Sequence, residues 1–131
     1  MILMKSILPG FASLLLLSFL ATAADPAVKN VGVDEFAKLR DTKTNLVLDV
    51  RTKKEYDAGH MPGAVLIDFN SPDFSEKVAK LDKSKTYLVH CAAGGRSAKA
   101  CDKMSTMKFT GLVNLEGGFR AWEKAGKPVE K

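Results

Sequence analysis

The chain has 131 residues, of which 46% are hydrophobic and 27% are charged. These values are typical of one soluble globular domain with enough apolar material for a core. The formal net charge is +5, and the Lys residues are scattered among acids without an aromatic-interleaved basic stripe, which argues against nucleic-acid binding. Two cysteines, Cys91 and Cys101, are too few to serve as the framework of a domain this size, so their presence needs another explanation.

The N-terminal segment has the three parts of a secretory signal peptide: a basic start, an apolar run over residues 6–20, and the small-x-small sequence Ala21–Ala23. We expect cleavage after residue 23, a loose leader over residues 24–29 and one domain over residues 30–131. The alternative is a membrane anchor, but the run falls short of the roughly 20 apolar residues of a spanning helix and contains a Pro-Gly pair. The sequence therefore predicts export to the bacterial periplasm, without a membrane attachment after cleavage.

Beyond residue 30, short apolar runs alternate with segments of helical periodicity. The predicted strands are Leu46–Val50, Ala64–Ile67, Thr86–His90 and Leu112–Leu115. Five helices are predicted, which begin at Gly32, at the capping box Thr52–Glu55, at Ser71 or Asp73, at Ser97 and at Phe119. Strands that alternate with helices at this spacing imply right-handed crossovers onto a mostly parallel sheet, so the predicted fold class is α/β.

One segment of the chain combines a cysteine with residues that suit an anion. Residues 91–97 lie between a predicted strand and a predicted helix, where ligands bind in open α/β sheets. A loop of Ala and Gly can turn successive amides toward one centre, and the following helix adds its positive end. Lowering a thiol pKa by two units requires about 2.7 kcal/mol, which two charge-assisted amide hydrogen bonds can supply. Cys91 is therefore predicted to be an anionic nucleophile, with Arg96 adding a positive charge beside it.

The same loop provides the predicted substrate-binding site. Its members are Ala92, Ala93, Gly94, Gly95, Arg96 and Ser97.

Four spaced motifs resemble a single rhodanese domain, over about residues 30–130. They are Asp49–Arg51 with Glu55–Tyr56, Gly59–Ala64, the loop Cys91–Ser97, and Gly117–Trp122 with Ala125–Val129. The resemblance implies a three-layer fold, in which helices cover both faces of a five-stranded sheet. It also implies a thiosulfate sulfurtransferase that carries sulfur as a persulfide on Cys91, takes it from a thiosulfate-like donor, and passes it to cyanide or a thiol. No metal or organic cofactor is implied, and we expect a monomer.

The residues around the loop carry further expectations. His90 precedes Cys91 on a strand, so its ring should point to the opposite face. Arg51 and Glu55 are spaced to form an ion pair across one helical turn. Cys101 lies on the apolar stripe of the predicted helix and is expected in the core.

Two other functions are compatible with a cysteine in an anion loop. A cysteine-dependent phosphatase or arsenate reductase encloses a tetrahedral oxyanion with five residues between Cys and Arg, whereas only four separate Cys91 from Arg96, which gives a tighter ring. A non-catalytic or thiol-redox module would pair Cys91 with Cys101. A disulfide needs α-carbons within about 7 Å, which a cysteine beyond the first helical turn does not readily meet.

Overall fold

A computed structural model describes residues 28–131. The predicted signal peptide and leader residues 24–27 lie outside the described residues. The strands are β1 (Val28–Val31), β2 (Leu46–Asp49), β3 (Val65–Leu66), β4 (Thr86–His90) and β5 (Gly111–Leu115). The helices are α1 (Val33–Asp41), α2 (Lys53–Ala58), α3 (Phe74–Ala79), α4 (Gly95–Ser105) and α5 (Gly118–Lys124).

The five strands form one sheet in the order β1-β5-β4-β2-β3. Every neighbouring pair of strands is parallel. The central strand is β4, whose Val89 lies opposite both Leu48 of β2 and Asn114 of β5. This arrangement confirms the predicted α/β class with a parallel sheet of five strands. It also places the residues that follow β4 at the middle of the sheet's carboxyl edge.

The buried apolar side chains form two clusters, one on each face of the sheet. On one face Phe74 of α3 and Met104 of α4 pack against strand residues such as Val89. On the other face Phe36 of α1 and Trp122 of α5 pack against the remaining strand residues. Side chains that alternate along a strand enter opposite clusters, as expected for strands covered on both sides. The helices therefore lie on both faces, and the three layers predicted from the sequence are present.

Most predicted strands and helices differ from the observed ones by one residue at an end, and two differences are larger. Val28 and Lys29, which the sequence assigns to the leader, belong to β1 and pair with Leu112 and Val113 of β5. The helix that follows the cysteine loop begins at Gly95, two residues before the predicted start. Its N-cap, Gly94, has a left-handed φ of 109°, a conformation that glycine adopts at little cost. The loop is consequently shorter than predicted, and residues 95–97 form the first turn of α4.

No helix within residues 28–131 combines the length and the apolar character needed to cross a membrane.

Candidate active site

The candidate active site lies where the central strand β4 meets α4. Cys91 directly follows β4, and α4 begins four residues later, at Gly95. Cys91 is only 1% exposed, whereas Ala93 and Gly95 on the same turn are exposed. The thiol thus lies beneath a thin layer of loop backbone at the surface of the protein.

The start of α5 holds the loop in this conformation. The amide of Phe119 donates to the Cys91 carbonyl at 2.7 Å, and the amide of Arg120 donates to the Ala92 carbonyl at 3.0 Å. Gly118 allows this approach, because a Cβ there would lie 2.6 Å from the Cys91 and Ala92 carbonyl oxygens. With these carbonyls bound to α5, the amides that follow are free to face the cysteine.

Two hydrogen bonds join Sγ of Cys91 to the loop. The Gly94 amide donates to Sγ at 3.1 Å, and the Cys91 thiol donates to Ser97 Oγ at 3.4 Å. Ser97 Oγ also lies 3.2 Å from the Gly94 carbonyl oxygen, to which its hydroxyl donates. The Ser97 side chain therefore joins the thiol to the backbone of the turn.

The pKa of Cys91 is lowered by this environment. Burial is the largest single effect and raises the pKa, because it disfavours the thiolate. A hydrogen bond from the Ser97 hydroxyl, once it turns from the Gly94 carbonyl toward the ionised sulfur, and hydrogen bonds from the amides of Ser97, Ala93 and Gly94 favour the thiolate and together outweigh burial. Of the loop amides that are predicted to stabilise an anionic sulfur, the amide of Gly94 makes a hydrogen bond to Sγ, at 3.1 Å. The part played by the Ser97 hydroxyl was not anticipated from the sequence.

The Arg96 side chain is paired with a carboxylate. Its Nη1 and Nη2 donate to the two carboxylate oxygens of Glu55 at 2.7 Å and 3.0 Å. The pKa of Arg96 is raised, first by this hydrogen-bonded carboxylate and to a smaller degree by the charge of Cys91. The Arg96 guanidinium therefore interacts with the Glu55 carboxylate of α2 and, more weakly, with the charge of Cys91.

The predicted ion pair between Arg51 and Glu55 is wrong. Arg51 turns inward instead and binds the carboxylate of Asp49 through Nε and Nη2, at 3.0 Å and 2.8 Å. Its Nη2 also donates to the Gly59 carbonyl at 2.7 Å, and its guanidinium lies 4.1 Å from the ring centre of Phe119. Helical spacing could not reveal this, because Arg51 lies between β2 and α2 and is not part of the helix.

His90 points away from the loop, as predicted from strand alternation. Its ring is fully buried and stacks on Phe119 at 5.9 Å between ring centres. Burial lowers the pKa of His90 and outweighs the opposing charge of Asp49. A neutral, packed imidazole on the far side of the strand is poorly placed to act as a base for Cys91.

Cys101 lies in the core, also as predicted. It is completely buried on α4, and neither cysteine is in a disulfide. Burial raises the pKa of Cys101 to about 12. The environments of the two thiols thus have opposite effects: the pKa of Cys91 is lowered and that of Cys101 is raised.

Within residues 28–131 no group of three or more His, Cys, Asp or Glu is arranged to hold a metal ion.

The fold and the loop define a class of protein: a parallel α/β domain with a single activated cysteine at the centre of the sheet's carboxyl edge. The sequence matches the rhodanese-like domain family over residues 32–125. It is 37% identical over 93 residues to thiosulfate sulfurtransferase 16, chloroplastic, of Arabidopsis thaliana, covering 63% of this chain and 78% of that protein. It is 28% identical over 92 residues to a sulfurtransferase of Allochromatium vinosum, covering 70% and 84%.

The similarity to a solved structure agrees with the family match. The rhodanese-related protein from Thermoplasma volcanium superposes with a TM-score of 0.70 at 30% identity, covering 78% of this chain and 97% of that chain. The chain belongs to the rhodanese-like domain family.

Proposed function

We propose that this protein is a thiosulfate sulfurtransferase that carries sulfane sulfur as a persulfide on Cys91. The observation that carries the proposal is the placement of Sγ against the Gly94 amide at 3.1 Å and the Ser97 hydroxyl at 3.4 Å. Hydrogen bonds between these groups and the sulfur lower the pKa of Cys91, which burial alone would raise. A thiolate is the form of cysteine that attacks sulfur.

In the first half of the reaction the Cys91 thiolate attacks the outer sulfur of thiosulfate. A new sulfur–sulfur bond forms, the bond inside thiosulfate breaks, and sulfite leaves with its electron pair. The terminal sulfur of the resulting persulfide is an anion, which the loop amides would stabilise as they stabilise the thiolate. Since Cys91 is 1% exposed, the donor must approach across the exposed face of the loop at Ala93 and Gly95.

In the second half an acceptor removes the terminal sulfur. Cyanide attacks that sulfur, a carbon–sulfur bond forms, and the electron pair of the broken sulfur–sulfur bond returns to Cys91 as thiolate. Thiocyanate is then the product. A thiol acceptor reacts in the same way and leaves as its own persulfide, so the cycle needs no external oxidant or cofactor.

The competing functions fit this site less well. A phosphatase or arsenate reductase must surround a tetrahedral oxyanion, yet α4 begins only four residues after Cys91 and the Ser97 hydroxyl already lies near Sγ. A thiol-redox pair needs a second reactive cysteine, whereas burial raises the pKa of Cys101 to about 12.

Mass spectrometry of the protein after thiosulfate treatment tests the proposal. We expect a species one sulfur atom heavier, which is lost in Cys91→Ser and retained in Cys101→Ser, together with thiocyanate formation on addition of cyanide. A loss of two hydrogens would instead indicate an internal disulfide. Turnover of a chromogenic phosphate ester with no reaction toward thiosulfate would favour the phosphatase.

We also propose that the protein acts in the periplasm after removal of residues 1–23. The proposal rests on the basic, apolar and small-residue segments of the N-terminus. The mass of the protein recovered from a periplasmic fraction tests it, since cleavage after Ala23 gives an N-terminus at Ala24. Recovery of the full-length chain with the membrane fraction would contradict it.

A further inference from the structure

Glu55 contacts the candidate active site from a distant part of the chain. It precedes Arg96 by 41 residues, and both of its carboxylate oxygens accept hydrogen bonds from the Arg96 guanidinium, at 2.7 Å and 3.0 Å. Resting on the proposed function, we propose that Glu55 is a positioning residue, which holds Arg96 beside the Cys91 thiolate as a preformed binding group for the anionic end of the sulfur donor.

The Glu55 carboxylate is well suited to hold another side chain because it is itself fixed. Its Oε1 accepts hydrogen bonds from the Thr52 amide at 3.3 Å and the Thr52 hydroxyl at 3.1 Å. The Thr52 hydroxyl in turn accepts from the Glu55 amide at 3.2 Å, which completes the capping box of α2. The hydrogen bonds to Arg96 are the main cause that lowers the pKa of Glu55 to about 2. The carboxylate is therefore ionised at neutral pH, and four hydrogen bonds fix its position.

Arg96 needs such an anchor. It is the second residue of α4, and a positive charge in the first turn is disfavoured by the helix dipole. Its neighbour Ser97 lies 3.4 Å from Sγ of Cys91, and the charges of Cys91 and Asp68 both act on the guanidinium. Without Glu55, this long side chain gains rotamer freedom by moving into solvent.

The geometry leaves Arg96 able to bind a second anion. A guanidinium has five N–H groups, and Glu55 accepts from one on each terminal nitrogen. The other three have no acceptor among residues 28–131. The Arg96 side chain is 27% exposed and that of Glu55 is 32% exposed, so a donor can reach this cation from solvent. The sulfonate oxygens of thiosulfate are acceptors that match it.

Glu55 has two opposing effects that can be separated experimentally. As a negative charge it repels both the thiolate and an anionic donor, so its removal alone should lower the pKa of Cys91 and the KM for thiosulfate. As the anchor of Arg96, Glu55 keeps a positive charge at the site, so the loss of this anchor should raise the pKa of Cys91 and the KM for thiosulfate. We infer that the anchoring effect is the larger one.

Steady-state kinetics with thiosulfate and cyanide provide the first test. Glu55→Ala should raise the KM for thiosulfate about tenfold, which corresponds to about 1.4 kcal/mol. The kcat should change by less than about twofold, since the lost interaction is one of binding. Glu55→Gln keeps an acceptor for the capping box and should give a smaller rise in KM. Asp57→Asn removes an exposed carboxylate from the same helix, whose partner within residues 28–131 is Lys53, and should leave both constants unchanged.

Titration of the thiolate by ultraviolet absorbance, with Cys91→Ser as the blank, provides the second test. Glu55→Ala should raise the pKa of Cys91. In an Arg96→Ala background the same substitution should lower it, because only the repulsive charge is then removed. A purely structural role for Glu55 would not reverse the sign in this way.

The outcomes distinguish this inference from the proposed function. If the wild-type protein forms no persulfide with thiosulfate, the proposed function fails, while the titration still tests Glu55. Two results would show that Glu55 is not the anchor of Arg96. One is that Glu55→Ala lowers the pKa of Cys91 or the KM for thiosulfate. The other is that Glu55→Ala changes these two quantities by the same amount in the wild-type protein and in the Arg96→Ala variant.

Discussion

The contact between α5 and the cysteine loop predicts a severe effect for Gly118→Ala. Gly118 has a φ of +59°, and an added Cβ would lie 2.6 Å from the carbonyl oxygens of both Cys91 and Ala92. The left-handed conformation costs a non-glycine residue about 1 to 2 kcal/mol, and overpacking against backbone costs about 1 to 3 kcal/mol. The free energy of unfolding should therefore fall by about 2 to 5 kcal/mol, a large part of the stability of a small domain.

Gly126→Ala is the matched control for this prediction. Gly126 has a φ of +71°, but an added Cβ would meet nothing within 4 Å. Urea unfolding of this variant should show only the conformational cost of about 1 to 2 kcal/mol. Gly118→Ala should also raise the pKa of Cys91, since displaced carbonyls turn the loop amides away from Sγ. Equal losses of stability in the two variants, with an unchanged thiol pKa, would refute the proposed fit between α5 and the loop.

Three further predictions concern buried and charged groups. Asp49→Ala leaves the buried Arg51 guanidinium without its carboxylate and should lower the free energy of unfolding in urea by about 3 to 5 kcal/mol; a loss below about 1 kcal/mol would show that Arg51 finds another partner. Ser97→Ala removes a hydroxyl 3.4 Å from the Cys91 thiol and should raise its pKa in a thiolate titration; an unchanged value would assign the stabilisation to the amides alone. The pKa of Glu55 falls from 4.5 to about 2 on folding, so its ion pair stabilises the protein fully above about pH 4.5 and is lost as the pH falls toward 2. Unfolding measured across this range should show a pH-dependent loss that is reduced in Glu55→Gln, and identical curves would contradict the assignment.

Much of the fold could be predicted because local signals and burial agree. The strand Thr86–His90 has an apolar centre, as a central parallel strand requires, and the structure has the bounds that the sequence predicts. The capping box Thr52–Glu55 also forms as its spacing predicts. By contrast, β1 has only four residues and lies at the edge of the sheet, with Lys29 and Asn30 exposed. Such a strand has no apolar pattern, and only its pairing with β5 defines it.

The candidate site could be predicted only in part, because some of its features are local in the sequence and others depend on the tertiary fold. The position of Cys91 between a strand and a helix is a local property of the sequence, and so is the glycine-rich turn. The partners of Arg96 are not local: Glu55 comes from another helix, and its spacing from Arg51 suggested a different ion pair. The amides of α5 that hold the loop are likewise brought to it only by the tertiary fold.

The central claim is that the loop after β4 stabilises a negative charge on the sulfur of Cys91. A thiolate titration of the Cys101→Ser variant tests it most directly, because Cys91 is then the only thiol present. We predict a single ionisation with a pKa below that of an ordinary cysteine. A pKa at or above the ordinary value would mean that burial outweighs the hydrogen bonds of the loop, and the account of this site would be wrong.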